Sequence, residues 1–219
     1  MSIKNLGIIG GGQLGSLLAV AAKKLNINTT IYCDDVDAPA QNFCDKFIYG
    51  KYDDKVKMEE FIKEIDVITY EFENIPYETL NKMNKVKPVL PKPSVNRLIQ
   101  HRIAEKDFVN KLNIRTTRYA FIESKSDMEP LGDFLPGILK TTTMGYDGKG
   151  QYPIKKIEEI NNLNIDFSKG YILEKLVKLK KEISVIITRF GNNSYEIYEP
   201  IENTHENQIL KHSIIPAEI

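Results

Sequence analysis

The sequence predicts an α/β protein: a parallel sheet covered by helices, followed after residue 93 by a second region of α+β character. Three observations carry this. Short apolar or β-branched runs alternate with runs of helical period up to residue 90, the pattern of successive βα units. Pro88, Pro91 and Pro93 then punctuate the chain and separate a region 1–93 from a region 94–219. Beyond them, strand-like runs are joined by glycine-bearing loops and a hairpin signal.

Each element follows from its local pattern. Leu6–Ile9 reads as a short buried strand, ended by Gly10, Gly11 and Gly12. From Gln13 to Leu25, apolar residues recur at Leu14, Leu17, Leu18, Ala21, Ala22 and Leu25, the period of an amphipathic helix. Thr29–Cys33 is strand-like and stops at Asp34-Asp35; Lys46–Tyr49 is a further strand candidate. Val56–Ile65 has helical spacing, Val67–Tyr70 returns to strand, a short helix surrounds Tyr77–Met83, and a strand lies near Val89-Leu90. Ser94 is placed to cap a long helix whose apolar face runs Val95, Leu98, Ile99, Phe108, Val109 and Leu112.

In the second region Thr116–Ile122 is strand-like, and Met128–Leu135 is a helix interrupted by Pro130. Gly137–Leu139 leads into a polar loop, Thr141–Gln151. Tyr171–Glu174 and Glu182–Phe190 read as strands. The turn Gly191-Asn192-Asn193 joins the latter to Tyr195–Tyr198 as a hairpin, and Ile209–Ile215 is the last strand.

Composition excludes several function classes. With 42% hydrophobic residues the chain can bury a core. Thirty Lys+Arg balance thirty Asp+Glu, which argues against a dedicated nucleic-acid binder. Two cysteines, Cys33 and Cys44, do not make a disulfide scaffold, and the three histidines have no zinc-site spacing. Gly10–Gln13 interrupt the amino-terminal apolar stretch where a signal peptide needs continuity, and no run reaches the roughly 18 apolar residues of a membrane span. A cytoplasmic protein without nucleic-acid or membrane partners is the expectation.

Four constellations carry chemistry. Gly10-Gly11-Gly12-Gln13-Leu14-Gly15 satisfies G-x-G-x-x-G between a strand and a helix, where backbone amides meet an anion. With Asp34 and Asp35 downstream this also fits an NAD(P)-dependent oxidoreductase. Tyr70-Glu71-Phe72-Glu73-Asn74-Ile75-Pro76 places acids at a strand's carboxyl end, either in a ligand crevice or on a solvated loop; Glu71 and Glu73 share a face if the strand persists. Lys140 precedes Met144-Gly145-Tyr146-Asp147-Gly148-Lys149-Gly150-Gln151. Its three glycines exceed what a hairpin turn needs, and it is no Walker loop because no Gly-Lys-Ser/Thr follows. Glu174-Lys175-Leu176-Val177, with Glu182 beyond, can offer backbone groups to a base and an acid to a ribose, or be an amphipathic hairpin in solvent.

Together and in this order, these stretches resemble the ATP-grasp ligase family of 5-(carboxyamino)imidazole ribonucleotide synthases of bacterial purine biosynthesis. Arg102 with Glu105-Lys106, His205, and Ile209-Leu210-Lys211 add to the match, which runs over essentially the whole chain. The resemblance implies a pre-ATP-grasp domain over 1–93 and an ATP-grasp domain over 94–219, its lid about 114–171 and its catalytic subdomain beginning at 172–219. It implies ATP- and Mg2+-dependent phosphorylation of bicarbonate to carboxyphosphate, then carboxylation of 5-aminoimidazole ribonucleotide. Arg102, Lys140, the loop Gly145, Tyr146, Asp147, Gly148, Lys149, Gly150 and Gln151, together with Glu174, Lys175, Leu176, Val177, Glu182 and His205, then contact ATP. Gly12, Gln13, Leu14, Gly15, Glu73 and Tyr146 contact the ribonucleotide, and Asp147 and Lys149 serve catalysis.

Lys149 stands where some relatives carry Arg, keeping the charge but not the bidentate geometry. Family members are longer, so the resemblance implies an ATP-grasp domain incomplete at its C-terminus, with no metal ligands within this chain, little activity by itself, and a homodimer when full length. A catalytically dead nucleotide-binding module and the oxidoreductase are the alternatives.

Overall fold

The computed structural model describes residues 3–145, 150–191, 194–206 and 209–219, and the chain divides into two compact units, 1–112 and 113–219. In the first, β1 (Asn5–Ile9), β2 (Asn28–Cys33), β3 (Lys46–Tyr49) and β4 (Val67–Tyr70) form a parallel sheet in the order β3-β2-β1-β4. Helices α1 (Gln13–Lys24), α2 (Lys55–Ile62) and α3 (Tyr77–Asn84) follow β1, β3 and β4. The chain winds outward from β1 to β3, then returns to the other side of β1 with β4. That reversal makes a topological switch point, where open α/β sheets leave a crevice outside the strands' carboxyl ends.

Both faces of this sheet are covered, so its strands are apolar on both sides. Ile9, Tyr32, Ile48 and Ile68 pack with Met58 and Phe61 of α2 and Leu80 and Met83 of α3. Ile8, Ile31 and Cys33 pack with Ala19 of α1 on the opposite face. The leucines that mark the apolar period of α1 are not its buried face. The helix turns Gly15, Ser16, Ala19 and Ala22 inward and leaves Leu14 and Leu17 57% and 58% exposed. Close approach is the reason: a Cβ on Gly15 would lie 2.8 Å from the Gly10 carbonyl oxygen.

Two further expectations change here. The strand near Val89 is a single parallel bridge to Ile68; Pro88 and Pro91 on either side have no N–H to extend a ladder. The long helix from Ser94 is two helices, α4 (Pro93–Ile99) and α5 (Arg102–Lys111). Pro93, not Ser94, opens the first, since its fixed φ suits that position. His101 adopts an extended conformation between them, and its ring nitrogen accepts the Ala104 N–H at 3.5 Å. No residue of α5 is buried, so the expected face of Phe108, Val109 and Leu112 is not a core face within this unit.

The second unit is built from antiparallel strands. β5 (Tyr119–Ile122), β6 (Gly137–Thr141), β7 (Gln151–Ile154) and β8 (Tyr171–Lys175) form a sheet in the order β5-β8-β6-β7. Ile122, Met128, Phe134, Leu139, Tyr171 and Leu173 are among its core. The expected helix at Met128–Leu135 is a 3-10 run, Lys125–Phe134, kinked at Leu131 after Pro130 and started by a Ser124–Asp127 capping box. The expected strand Glu182–Phe190 is β9 (Glu182–Ser184) and β10 (Ile187–Arg189), which join different sheets. β10 pairs with β11 (Tyr195–Ile197) as the hairpin signal requires, although Asn192 and Asn193 of its turn lie outside the described residues. β12 (Ile201–Glu206), absent from the sequence pattern, pairs with both β9 and β13 (Ile209–Ile214). No helix among the described residues is long and apolar enough to cross a membrane.

Candidate functional site

At the switch point of the first unit, the chain leaves β1 through Gly10 and Gly11 and enters α1 at Gly12. Gly10 has φ +99°, and a Cβ there would stand 2.7 Å from a carboxylate oxygen of Glu71. The same oxygen accepts the Gly12 N–H at 2.9 Å. The glycine turn thus closes around a protein carboxylate delivered by the end of β4. A charged acceptor at a helix N-terminus is favourable, because the first amides of the helix have no partner within it. Cys33 lies directly behind the turn: a Cβ on Gly11 would meet its sulfur at 3.0 Å, and burial pushes the thiol's pKa up.

Strand geometry does not persist past Tyr70, so Glu71 and Glu73 part company. Glu71 turns onto Gly12, whereas the Glu73 side chain is exposed. The Glu73 carbonyl oxygen accepts from Asn96 Nδ2 at 2.8 Å and Gln100 Nε2 at 2.7 Å, both on the α4 segment. Gln13 and Leu14, the first residues of α1, are exposed beside the turn, and Gly15 is buried beneath it. Leu14, Leu17, Leu18, Tyr70 and Glu71 line a groove of about 400 Å³. The Tyr70 hydroxyl is buried without a hydrogen-bond partner among the described residues, and burial pushes its pKa up. The two aspartates after β2 are engaged locally: Asp35 accepts the Asp37 N–H at 2.9 Å, and Asp34 contacts Tyr52, whose pKa burial pushes up. Arg102 opens α5 in this unit, half-buried.

In the second unit the register of the antiparallel sheet builds a charged pair. Leu139 and Leu173 face each other in the core. Period-two alternation therefore puts Ile138, Lys140, Ile172 and Glu174 on the other face. Lys140 Nζ lies 2.7 Å from Glu174 Oε2, with the side chains 21% and 11% exposed. Gln151 sits opposite Lys140 on β7. Ile138, the register partner of Glu174, lines with Pro136, Pro153, Ile154, Lys155 and Leu176 an apolar groove of about 480 Å³. An apolar slot next to an ammonium is the composition that holds a planar base with a phosphate tail.

The loop between β6 and β7 is anchored at its base, where Thr141 N–H donates to the Gly150 carbonyl at 3.0 Å. Met144, Gly145 and Gly150 all have positive φ, at 58°, 81° and 69°. Tyr146, Asp147, Gly148 and Lys149 lie outside the described residues. After Glu174, the N–H groups of Lys175 and Leu176 donate to the carbonyls of Arg118 and Pro136, both at 2.9 Å, and Lys175 Nζ donates to the Asp133 carbonyl. Those two amides serve the sheet rather than a base edge; Leu176 and Val177 side chains are exposed. Glu182 and His205 meet across β9 and β12, with Nδ1 3.3 Å from Oε1.

The structure thus joins Gly12 to the acid-bearing loop, Lys140 to Glu174 and Gln151, and Glu182 to His205. Sequence reasoning missed that Glu71 rather than Glu73 meets the turn, and missed Asn96 and Gln100 altogether. The four-residue spacing of the latter pair was their only signal.

Known proteins match this arrangement. The ribonucleotide synthetase pre-ATP-grasp domain family matches residues 3–100, and the ATP-grasp domain family matches residues 107–219. Over 98% of its length the chain is 36% identical to the N5-carboxyaminoimidazole ribonucleotide synthase of Brucella melitensis, covering 60% of that protein. It is also 36% identical, over 98% of its length, to the Bacillus subtilis protein of the same name, covering 57% of it. The crystal structure of N5-carboxyaminoimidazole synthetase from Staphylococcus aureus complexed with ADP superposes with a TM-score of 0.91 and 32% identity, over 99% of this chain and 59% of that one. The chain therefore spans less than two thirds of the length of these relatives. The first match assigns the glycine turn to a pre-ATP-grasp domain, which removes the ground for a dinucleotide oxidoreductase. With its second unit matched by the nucleotide-binding fold and its first by the domain that precedes it, the chain belongs to the ATP-grasp family.

Proposed function

We propose that this chain supplies the ribonucleotide-binding and ATP-binding parts of a ligase that carboxylates 5-aminoimidazole ribonucleotide with bicarbonate in purine biosynthesis. The observation that carries the reading is the Lys140–Glu174 pair beside an apolar groove, in the half of the chain that matches the ATP-grasp domain. The similarity to N5-carboxyaminoimidazole ribonucleotide synthases over nearly the whole chain supports the substrate.

On this reading the apolar groove takes the adenine, Glu174 to Val177 flank it, and Glu182 and His205 meet the ribose side. Lys140 and Arg102 neutralise the phosphates, and the loop from Gly145 to Gln151 closes over them. A bicarbonate oxygen attacks the γ-phosphorus and ADP leaves, giving carboxyphosphate. The amine of the ribonucleotide then attacks the carbonyl carbon, phosphate leaves, and the nitrogen loses a proton. Asp147 and Lys149 act at the transferring group, where positive charge has to meet the charge that develops. Gly12, Gln13, Leu14, Gly15, Glu73 and Tyr146 hold the ribonucleotide. Family resemblance supports Mg2+ dependence and a cytoplasmic homodimer. Among the described residues no group of three or more His, Cys, Asp and Glu is placed to hold a metal.

Nucleotide titration tests the reading. MgADP should bind the chain, and Lys140→Ala should weaken it about a hundredfold or more, a charge-assisted contact being lost from a poorly solvated site. Phosphate release, where measured, should depend on both bicarbonate and the ribonucleotide. Binding of NADH without binding of ADP would sink the proposal.

A further inference from the structure

We infer that Asn96 and Gln100 are positioning residues for the segment that presents Glu73, an inference that rests on Glu73 as a ribonucleotide contact. Between the end of β4 at Tyr70 and the start of α3 at Tyr77, the chain leaves the carboxyl end of an edge strand and, among the described residues, has no ladder partner. Two side-chain amides take that place. Asn96 Nδ2 and Gln100 Nε2 both donate to the Glu73 carbonyl oxygen, using both of its lone pairs, and Gln100 Nε2 donates also to the Ile75 carbonyl at 2.7 Å. Four residues apart, on α4 and on the residue that caps its C-terminus, the two amides stand about one helical turn from each other.

The Glu71 carboxylate pins the other end of the segment to Gly12. Held at 71, 73 and 75, the backbone has no freedom to roll, and the Glu73 side chain is directed outward, where it is exposed. A purely structural role does not account for Asn96. The residue is 0% exposed, and its Oδ1 is a buried acceptor without a hydrogen-bond partner among the described residues. An unpaired buried acceptor weakens a fold, and an apolar side chain of the same volume would avoid that cost. What an apolar side chain cannot do is hold the Glu73 carbonyl.

The test uses the 219-residue chain with Asn96→Leu and Gln100→Met, each close in volume and without a donor. Amide hydrogen exchange over residues 71–75 should accelerate about tenfold or more while the amides of β1 and β2 keep their rates. The dissociation constant for 5-aminoimidazole ribonucleotide should rise about tenfold, and that for MgADP should stay unchanged. Unchanged exchange in the segment overturns the inference, as does a loosened segment with unchanged ribonucleotide affinity. Equal weakening of both ligands does so too, because it marks a general structural defect. If Asn96→Leu does not fold, Gln100→Met, at a half-buried helix end, carries the same measurements. An unaltered chain that binds no ribonucleotide overturns the proposed function and this inference with it. Binding that the variants leave intact overturns this inference alone.

Discussion

Each unit carries a candidate anion site, and each already has a carboxylate in it. In the first, Glu71 accepts a neutral backbone N–H at Gly12; in the second, Glu174 pairs with the ammonium of Lys140. The difference lies in what each acid leaves behind if it is removed. Without Glu71 the turn keeps polar amides at an accessible helix end that water can satisfy. Without Glu174 a charge remains on a largely covered sheet face. The first acid shapes a backbone; the second neutralises a cation, the one we propose as a phosphate contact.

Substitutions can break that contrast, and the largest effect belongs to the second unit. Glu174→Ala should lower stability by about 3 kcal/mol, the lower end of the cost of stranding one partner of a buried pair, because Lys140 keeps 21% exposure. Denaturant unfolding reads this directly, and a loss below about 1 kcal/mol would show that water already reaches the ammonium. Glu71→Gln should cost less, about 1 kcal/mol, since the amide oxygen still accepts the Gly12 N–H and only the charge is lost. A loss as large as that of Glu174→Ala would erase the distinction between the sites.

The smallest effect concerns two exposed carboxylates, taken one from each unit, that each accept two backbone amides. Asp66 accepts the N–H groups of Lys4 and Asn5, and Asp127 those of Glu123 and Ser124. These bonds hold both carboxyls below the usual value of 3.8. A depressed folded-state pKa contributes stability above the unfolded value, and the contribution is lost as pH falls through the folded one. Stability should therefore decline below about pH 4, and Asp66→Asn and Asp127→Asn should each flatten that decline. An unchanged acid limb in both variants would mean these caps do not differ between folded and unfolded chain.

The two units were also unequally legible. The strand, glycine turn and helix at the amino terminus stand out because an apolar run, three glycines and a helical period coincide. The buried face of α1 did not, because tight approach to the sheet selects Gly15, Ser16, Ala19 and Ala22 over leucines. Likewise, which of Glu71 and Glu73 meets the turn depends on β4 ending at Tyr70, a one-residue matter that alternation cannot decide. In the second unit β12 reads Ile-Glu-Asn-Thr-His-Glu, polar enough to pass for a loop, and β7 carries Pro153. Lys140 and Glu174 were each marked by their surroundings in the sequence, yet their contact is set by strand register across an intervening hairpin and two 3-10 turns.

The sulfur of Cys33 behind Gly11 turns the switch-point crevice into its own stopwatch. At 5% exposure, and with a pKa raised by burial, this thiol should react with an alkylating reagent slowly while the glycine turn stays in place, and faster when the turn swings away. Cys44, half-buried on the same unit and with a thiol pKa also pushed up by burial, supplies a second rate for comparison. The ratio of the two labelling rates would report how often the turn opens, and a ligand seated on the turn should slow the first without touching the second.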